Sequence, residues 1–230
     1  MILTIDDLVI PVKHSAQRKT MQLTVDRDSS LLLTAPPSAT TEVLEGFVRS
    51  KLSWVYQKLA EKALMYKSIR PKRFVQGEGF LYLGRSYRLN LIEQPAVPLK
   101  LYHGRFHLAK SNQENARQLF ISWYVEKGTA WLEAKADEFK SRLAVEFSSV
   151  KVRDLGYRWG SCGKNQTLYF HWKTILLPAK IAEYVVVHEL SHLIEPSHSS
   201  EFWLCVERAM PDYKERKQWL AEHGMDVEGL

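Results

Sequence analysis

The sequence predicts an α+β protein in which short strands dominate the first half and helices the second. Short apolar runs bounded by turn residues recur through residues 1–110. Apolar residues in residues 111–230 recur mostly at spacings of three and four, which is the helical period. The 230 residues, 45% of them hydrophobic, suffice for one large domain or two smaller ones. We therefore predict a basic, β-rich part at residues 1–110 and a second domain at residues 111–230.

In the first part, strands are expected near residues 8–10, 21–25 and 31–33, and again near residues 81–83, 87–92 and 99–102. Between these two groups, five apolar residues at helical spacing predict one amphipathic helix. They are Leu44, Val48, Leu52, Val55 and Leu59.

The second part begins with a long predicted helix over about residues 113–143, followed by two or three strands over residues 149–177. Pro178 then begins another helix, because proline is preorganised for the first helical position. Apolar residues cover most sides of that helix, so we expect it to be buried nearly all round. Two short helices follow, at residues 200–210 and 211–222.

Charge is distributed unevenly along the chain. Residues 1–110 carry 17 basic against 9 acidic residues, a net charge of +8, whereas residues 111–230 carry a net −2. This asymmetry indicates either a polyanionic partner, such as a nucleic acid, or a solvated basic surface. Residues 1–14 lack the pattern of a signal peptide, no apolar segment is long enough to span a membrane, and two cysteines suit a reducing compartment. We expect a soluble cytoplasmic protein with no membrane partner.

The segment His188-Glu189-Leu190-Ser191-His192 is an H-E-x-x-H motif within the predicted buried helix. Residues four apart lie one turn apart on the same face of a helix, so both imidazoles can bind one metal ion. Glu189, next to the first ligand, is placed to act as a general base on water. Burial of the two imidazoles and the carboxyl group of this motif in an apolar helix would cost free energy unless a metal ion satisfied them.

His198 follows this motif by six residues, with Pro196 between them. Proline cannot continue a helix, so Pro196 is expected to end it and let the chain turn His198 back toward the pair. Three histidines with one open position are typical of a catalytic zinc site. The motif alone also occurs by chance, and the alternative is a helix with two histidines satisfied by solvent or core contacts. The buried helix and His198 favour the metal site.

The strand segment before this helix contains Arg158, Trp159, Gly160, Ser161 and Cys162. It is a candidate for lining a substrate cleft, since an exposed strand edge can bind an extended peptide. A tight glycine turn with a packed tryptophan is an equally good interpretation. Cys162 and Cys205 are expected to be plain thiols.

Taken together, these residues resemble the YgjP-like metallopeptidase domain family, which is distantly related to the SprT-type proteases. Besides the two segments above, the resemblance rests on two C-terminal motifs, Phe202-Trp203 and Pro211-Asp212-Tyr213-Lys214. Arg18-Lys19-Thr20 and Tyr82-Leu83-Gly84-Arg85 extend it into the first part of the chain. One departure is His171, where such proteins commonly carry an asparagine.

The resemblance implies a zincin-like metallohydrolase domain, a small sheet plus helices carrying H-E-x-x-H, that binds one zinc ion. Its ligands would be His188, His192 and His198, with Glu189 as the catalytic acid and base; other divalent metals stay open. Arg158, Trp159, Ser161 and Tyr213 are candidates for binding the substrate or stabilising the transition state. His171 is an additional candidate, although an ordinary surface or core imidazole is the simpler interpretation.

This site does not by itself define the bond that is attacked. Hydrolysis of a peptide bond in an extended polypeptide is the first hypothesis. A nucleoside triphosphate pyrophosphatase of the UTP-hydrolysing type is the second, because the basic part suits an anionic substrate. A DNA-associated, SprT-like protease is the third, with the basic part bound to nucleic acid. The chain lacks a glycine-rich phosphate loop and a dense set of acidic magnesium ligands, which counts against the second hypothesis.

Overall fold

The computed structural model of the protein describes residues 1–26, 29–65, 71–93, 96–156 and 158–230. The chain forms two compact units, Met1–Ser68 and Ile69–Leu230. Among the described residues, no helix combines the length and the apolar character needed to cross a membrane.

The first unit is a four-stranded sheet with two helices. Its elements are β1 (Ile2–Ile5), β2 (Leu8–His14), β3 (Gln22–Val25), β4 (Leu31–Ala35), α1 (Thr41–Arg49) and α2 (Leu52–Met65). The strand order is β1-β2-β4-β3, with β2 and β4 parallel and the other pairs antiparallel. Buried and exposed residues alternate along β1 and β2, so one face of this sheet is buried.

The single helix predicted for this unit is two helices in the structure. Helical structure is interrupted at Ser50 and Lys51, where the Ser50 hydroxyl donates to the Phe47 carbonyl at 2.7 Å. Such a local side-chain bond competes with the helical ladder at a helix end. Leu44 and Val55, one on each helix, are nevertheless buried in the same core, as their spacing predicted.

The second unit contains two further sheets, one long helix and three shorter ones. Its strands are β5 (Gly79–Tyr82), β6 (Arg85–Ile92), β7 (Leu99–Tyr102), β8 (Arg105–Ala109), β9 (Ser149–Arg153), β10 (Gly160–Cys162) and β11 (Thr167–His171). Its α-helices are α3 (Ala116–Leu143), α4 (Ala179–Ser191), α5 (Ser200–Ala209) and α6 (Tyr213–His223). Short 3₁₀ helices occupy Lys110–Asn115, Trp172–Leu176 and Gly224–Val227. The sheets have the orders β5-β6-β8-β7 and β10-β11-β9.

Helix α3 joins the two sheets of this unit into one core. Near its beginning, Phe120 stacks on Phe80 of β5 with ring centroids 4.1 Å apart. One turn later, Tyr124 stacks on Trp172, directly after β11, at 6.2 Å. Strands β5–β8 therefore share a core with the helices of the second unit. The compact units are Met1–Ser68 and Ile69–Leu230, and the division into domains at residues 1–110 and 111–230 stays a prediction.

Helix α4 lies at the centre of this core and is buried on nearly all sides, as predicted. Pro178 precedes its first residue, and Gly84 holds that end in place. The Gly84 amide donates to the Leu176 carbonyl, and a Cβ at Gly84 would lie 2.7 Å from Cα of Pro178. With φ of +77°, this position also requires a left-handed conformation that favours glycine. The β5–β6 turn therefore fixes where α4 begins.

Candidate metal centre

The C-terminal end of α4 carries the first two histidines of the candidate site. His188 and Glu189 lie in its last turn, and His192 is the residue that caps it. Pro196 was expected to end this helix, but the helix already ends at Ser191, so the chain turns away from it before the proline is reached. His188 and His192 have ring centroids 5.0 Å apart, as expected for residues four apart on one helix face.

His198 returns to this pair after the turn. Its Nε2 lies 3.0 Å from Nε2 of His188, and its ring centroid lies 4.8 Å from that of His192. One nitrogen from each of the three imidazoles can be chosen so that all lie within 4.8 Å of one another. The three histidines that the sequence selected therefore meet at one point, and no other group of this kind was found among the described residues.

Aromatic side chains from α5 form the wall behind these imidazoles. The Phe202 ring lies 4.9 Å from His188, 4.5 Å from His192 and 4.9 Å from His198. Trp203 stacks on His198 at 5.8 Å with an angle of 22° between the rings. The Ser199 hydroxyl caps α5 by accepting from the Phe202 amide, which places both aromatic residues directly after His198. Packing thus restricts the imidazoles to a narrow range of orientations.

The protonation of these histidines suits metal binding. Burial, with the neighbouring His192 and His198, lowers the pKa of His188 to about 3, and burial also lowers the pKa of His198. Both rings are therefore neutral at physiological pH, with a lone pair available for a cation. Nδ1 of His192 lies 3.1 Å from the carbonyl of Glu195 and can donate to it, which leaves Nε2 free.

His188 supplies a further test of whether a metal fits this site. Its Nδ1 is buried and has no hydrogen-bond partner among the described residues, and its Nε2 faces only the Nε2 of His198. Only one of its two ring nitrogens therefore has a partner among the described residues, and that partner is another histidine, whereas an ordinary core histidine has both nitrogens satisfied. Three neutral nitrogen donors converging on one point are a donor set that zinc binds. The residues present fit such an ion.

Glu189 projects from α4 on the side that faces strand β10. Its side chain is buried, with 5% of the residue exposed. Burial raises the pKa of its carboxyl group to about 8, although the charge of Arg158 and a hydrogen bond from the Cys162 amide oppose that rise. A carboxyl group with a pKa near neutrality can both accept and donate a proton under physiological conditions.

Gly160, the first residue of β10, makes room for this carboxyl group. A Cβ at Gly160 would lie 2.5 Å from Oε1 of Glu189 and 2.7 Å from its Cδ. No side chain fits in that space. The sequence allowed two interpretations of this glycine, a tight turn or part of a substrate cleft. In the structure it allows the backbone of β10 to lie directly against Glu189.

The other predicted site residues lie at different depths around this centre. Arg158 is exposed, and its guanidinium donates to the Ser161 hydroxyl at 3.4 Å. Ser161 and Trp159 are half-buried, and the Trp159 carbonyl accepts from the Thr174 hydroxyl and the His171 amide. Tyr213 is buried and stacks on Trp203 at 5.5 Å. Arg158 and Ser161 are thus grouped beside Glu189, whereas Tyr213 is linked to the histidines through Trp203.

His171 is not one of the three clustered histidines. It is 2% exposed, its Nδ1 accepts from the Lys173 amide, and its Nε2 lies 3.3 Å from a carboxylate oxygen of Asp154. It therefore caps the 3₁₀ helix after β11 and connects β11 to the loop that leads to Arg158. This agrees with the simpler interpretation, a core imidazole. Cys162 and Cys205 are free thiols, as expected.

A recess beside the histidines was not anticipated from the sequence. It encloses about 350 Å³ between α5 and α6. Its lining residues are Trp203, Tyr213, Lys214, Lys217, Gln218 and Ala221. The ammonium group of Lys217 lies 3.9 Å from the centre of the Trp203 ring, and its charge helps lower the pKa values of His188 and His198. Trp203 lies on α5, whereas Tyr213 and Lys217 lie on α6, so no periodic pattern within one helix indicates the recess.

Comparisons with known proteins give one family. The family model described as YgjP-like, metallopeptidase domain, matches residues 19–223, which include parts of both compact units. No curated protein matches the chain significantly. Among solved structures, the chain is similar to the metallopeptidase zymogen of Pyrococcus abyssi abylysin, with 26% identity over 40% of this chain and 93% of that chain and a TM-score of 0.37.

Proposed function

Because this chain belongs to the YgjP-like metallopeptidase family and is therefore a metal-dependent hydrolase, we propose that it is a zinc peptidase with Glu189 as its general base. The observation that carries the proposal is that three imidazole nitrogens converge within 4.8 Å of one another. Glu189, the residue after His188, directs its carboxyl group toward β10. His188, His192 and His198 would hold the ion.

A zinc ion bound there would supply a Lewis acid that lowers the pKa of water and polarises a carbonyl group. The histidines contribute neutral ligands, so they leave the charge of the ion undiminished. The Glu195 carbonyl fixes the orientation of His192, and Phe202 packs against all three rings. Such outer contacts hold ligands in the orientation that binding requires.

Glu189 performs the proton transfers in this mechanism. Its carboxylate accepts a proton from the attacking water and then donates it to the leaving nitrogen of the peptide. Burial raises the pKa of this carboxyl group to about 8 in the metal-free protein, and the positive charge of a bound ion would lower it toward the range in which a carboxylate accepts a proton and returns it. Gly160 and the Cys162 amide keep its carboxyl group against β10. The buried position also limits the access of bulk water to the proton in transit.

Strand β10 is the proposed binding surface for an extended polypeptide. It is an edge strand in the order β10-β11-β9, pairing with β11 over Gly160–Cys162. An extended peptide can add to such an edge through main-chain hydrogen bonds. Its scissile bond would then pass beside Glu189, and Trp159 and Ser161 would contact its side chains.

Arg158 and Tyr213 are the candidates for stabilising the negative charge that develops on the attacked oxygen. Arg158 has the stronger case, because its charge already acts on the Glu189 carboxyl group and its exposed guanidinium can move. Tyr213 is buried against Trp203, so its hydroxyl would act from the side of the recess.

A second candidate function, hydrolysis of a nucleoside triphosphate, is favoured by the recess between α5 and α6. Trp203 offers an aromatic surface and Lys217 a cation within 3.9 Å of it, a combination that suits a base and its phosphates. The third hypothesis, a DNA-associated protease, requires the same peptidase site plus a separate surface for nucleic acid.

One experiment separates the first two functions. Zinc-loaded protein is assayed in parallel on a mixture of unstructured polypeptides and on a panel of nucleoside triphosphates. Glu189→Gln should abolish hydrolysis while keeping the fold and the zinc content, and Glu133→Gln, an exposed glutamate on α3, is the matched control. Peptide products that disappear only in Glu189→Gln support the peptidase. Phosphate release with the same dependence would favour the nucleotide hydrolase, and any activity surviving Glu189→Gln would contradict the assigned role.

A further inference from the structure

The sheet β5-β6-β8-β7 has one buried face and one open face. Phe80, Leu89, Leu99, Phe106 and Leu108 point into the core of the second unit. Because successive side chains in a strand point to opposite faces, the intervening residues form the open face. This open face is a property of the second unit alone and does not involve the histidine cluster.

Strand register arranges polar residues on the open face in two adjacent rows. In the first row, Arg88 is paired with Arg105, which is paired with Tyr102. In the second row, Asn90 is paired with His107, which is paired with Lys100. Neighbouring strands lie about 4.8 Å apart, so each row spans about 10 Å. Together the rows form what we call the cationic face: Arg88, Asn90, Lys100, Tyr102, Arg105 and His107.

Among the residues that the structure describes, the cations of this face have no carboxylate partner. None of the residues in β5, β6, β7 and β8 is acidic. No ion pair to a carboxylate of the described residues is found for Arg88, Lys100 or Arg105; Arg88 reaches only the Gly77 carbonyl, at 3.5 Å. Burial lowers the pKa of His107, and the charges of Lys100 and Arg105 lower it further.

This arrangement is unfavourable for the sheet itself. Arg88 and Arg105 are register partners on the parallel strands β6 and β8, so two like charges lie side by side on one face and repel each other. A neighbouring carboxylate would remove the cost, and the sequence of these strands supplies none. An anion bound from solution would remove it equally well.

Tyr102 adds an aromatic group to the same face. Tyr102 is 51% exposed. The ammonium group of Lys100 lies 4.8 Å from the ring centre, and the rings of His103 and His107 meet it edge-on at 4.0 and 6.0 Å. The exposed ring thus packs against one ammonium group and two imidazole rings.

We propose that the cationic face binds single-stranded nucleic acid, with phosphates at Arg88, Arg105 and Lys100 and a base stacked at Tyr102. A cationic surface that neutralises phosphates, together with an aromatic ring on which a base can stack, supplies the two contacts by which proteins bind single strands without strict sequence preference. An acidic peptide or an anionic membrane would also neutralise the cations, but neither offers the planar bases that stack on an aromatic ring. The proposal goes beyond the hydrolytic function and needs no metal. It also assigns to one surface part of the excess charge in residues 1–110.

Fluorescence anisotropy of the full-length protein with a fluorescein-labelled twelve-nucleotide oligo(dT), and with oligo(U), tests this proposal. The double variant Arg88→Gln/Arg105→Gln should bind at least about tenfold more weakly at low salt. It should also reduce the slope of log K against log salt by about 1.4, since each phosphate contact on a single strand contributes about 0.7. Lys151→Gln/Arg208→Gln, two exposed cations elsewhere in the same unit, should bind like the unmodified protein.

Tyr102 distinguishes nucleic acid from other polyanions. Tyr102→Ala should weaken oligonucleotide binding about 5-fold or more and leave the salt slope unchanged, whereas Tyr102→Phe should keep the affinity, because stacking needs the ring and not the hydroxyl. Thermal unfolding of each variant verifies that the sheet is intact. Equal binding by the arginine double variant and the unmodified protein would overturn the proposal. The proposal would also be overturned if poly-glutamate or phosphatidylserine vesicles displaced the labelled oligonucleotide as well as unlabelled oligonucleotide does, and Tyr102→Ala did not change the affinity for the oligonucleotide.

Discussion

The carboxyl group of Glu189 lies so close to the backbone of Gly160 that a methyl group on Gly160 would sit 2.5 Å from Oε1. This contact connects the strand proposed to bind substrate with the residue proposed to move protons. The two elements are adjacent in space although 29 positions separate these residues in the chain, so their relationship exists only in the folded unit.

Gly160→Ala should therefore reduce hydrolysis about 100-fold, because displacement of a catalytic group by about 1 Å has an effect of that size. Zinc content and secondary structure should be unchanged. Steady-state kinetics with whichever substrate the parallel assay of polypeptides and nucleoside triphosphates selects provide the measurement. Gly46→Ala is the matched control, since a Cβ at that helical position meets nothing within 4 Å. Full activity in Gly160→Ala would contradict the close contact between β10 and Glu189.

Removal of the metal should destabilise the second unit. A ligand present at about 1,000 times its dissociation constant stabilises a fold by about 4 kcal/mol, so chelation should lower the unfolding temperature by about 10 °C. His198→Gln should lower zinc affinity at least about 100-fold and abolish most of that difference. Because His198 is exposed, this substitution leaves no cavity in the core.

Calorimetry with and without a chelator, together with metal analysis, measures this effect. His14→Gln, an exposed histidine in the first unit, should behave like the unmodified protein. Stoichiometric zinc retained by His198→Gln would show that the third ligand is another group.

The turn at Gly84 should be sensitive to any side chain. Gly84→Ala places a non-glycine residue at φ of +77° and brings Cβ within 2.7 Å of Pro178. Left-handed strain costs about 1 kcal/mol and overpacking typically another 1–3 kcal/mol. We expect a loss of about 2–4 kcal/mol in the free energy of unfolding, measured by denaturant titration. Gly104→Ala, with φ of +73° but nothing within 4 Å, isolates the conformational part. An equal loss in both variants would contradict a steric role for Pro178.

Tyr124 should couple stability to alkaline pH. Its hydroxyl is buried and donates to the Leu81 carbonyl at 2.8 Å, and burial holds its pKa well above the usual value of 10.0. A folded-state pKa above the unfolded one contributes stability that is fully present below pH 10 and declines as pH rises from there toward the folded pKa. Tyr124→Phe should cost about 1 kcal/mol at neutral pH, because the carbonyl loses its donor.

The same variant should lose stability less steeply above pH 10 than the unmodified protein. Denaturant titrations at pH 7 and at pH 10.5 measure both effects. Tyr87→Phe is the control, since that ring is only partly buried. If Tyr124→Phe and the unmodified protein declined in parallel, Tyr124 would not be the group responsible.

Local sequence determined the elements and the chemistry of the histidine helix. Helical spacing predicted α3, α4, α5 and α6 with bounds close to those found. The apolar face of a helix repeats every three or four residues, so the sequence alone is enough to detect it. The same periodicity gave the placement of His188 and His192 on one face. It could not reveal the break between α1 and α2, which depends on a side-chain bond at Ser50.

Tertiary structure alone decided which separate segments meet. Helix α3 packs both sheets of the second unit into one core. Strand β10 lies against Glu189, α5 places Phe202 behind the imidazoles, and strand order gathers Arg88 and Arg105 on one face. These contacts join residues far apart in sequence, so they depend on burial summed over the whole core and not on any local pattern. The sequence by itself determined the three histidines and the spacing of the two in the helix; only the fold decided what surrounds them.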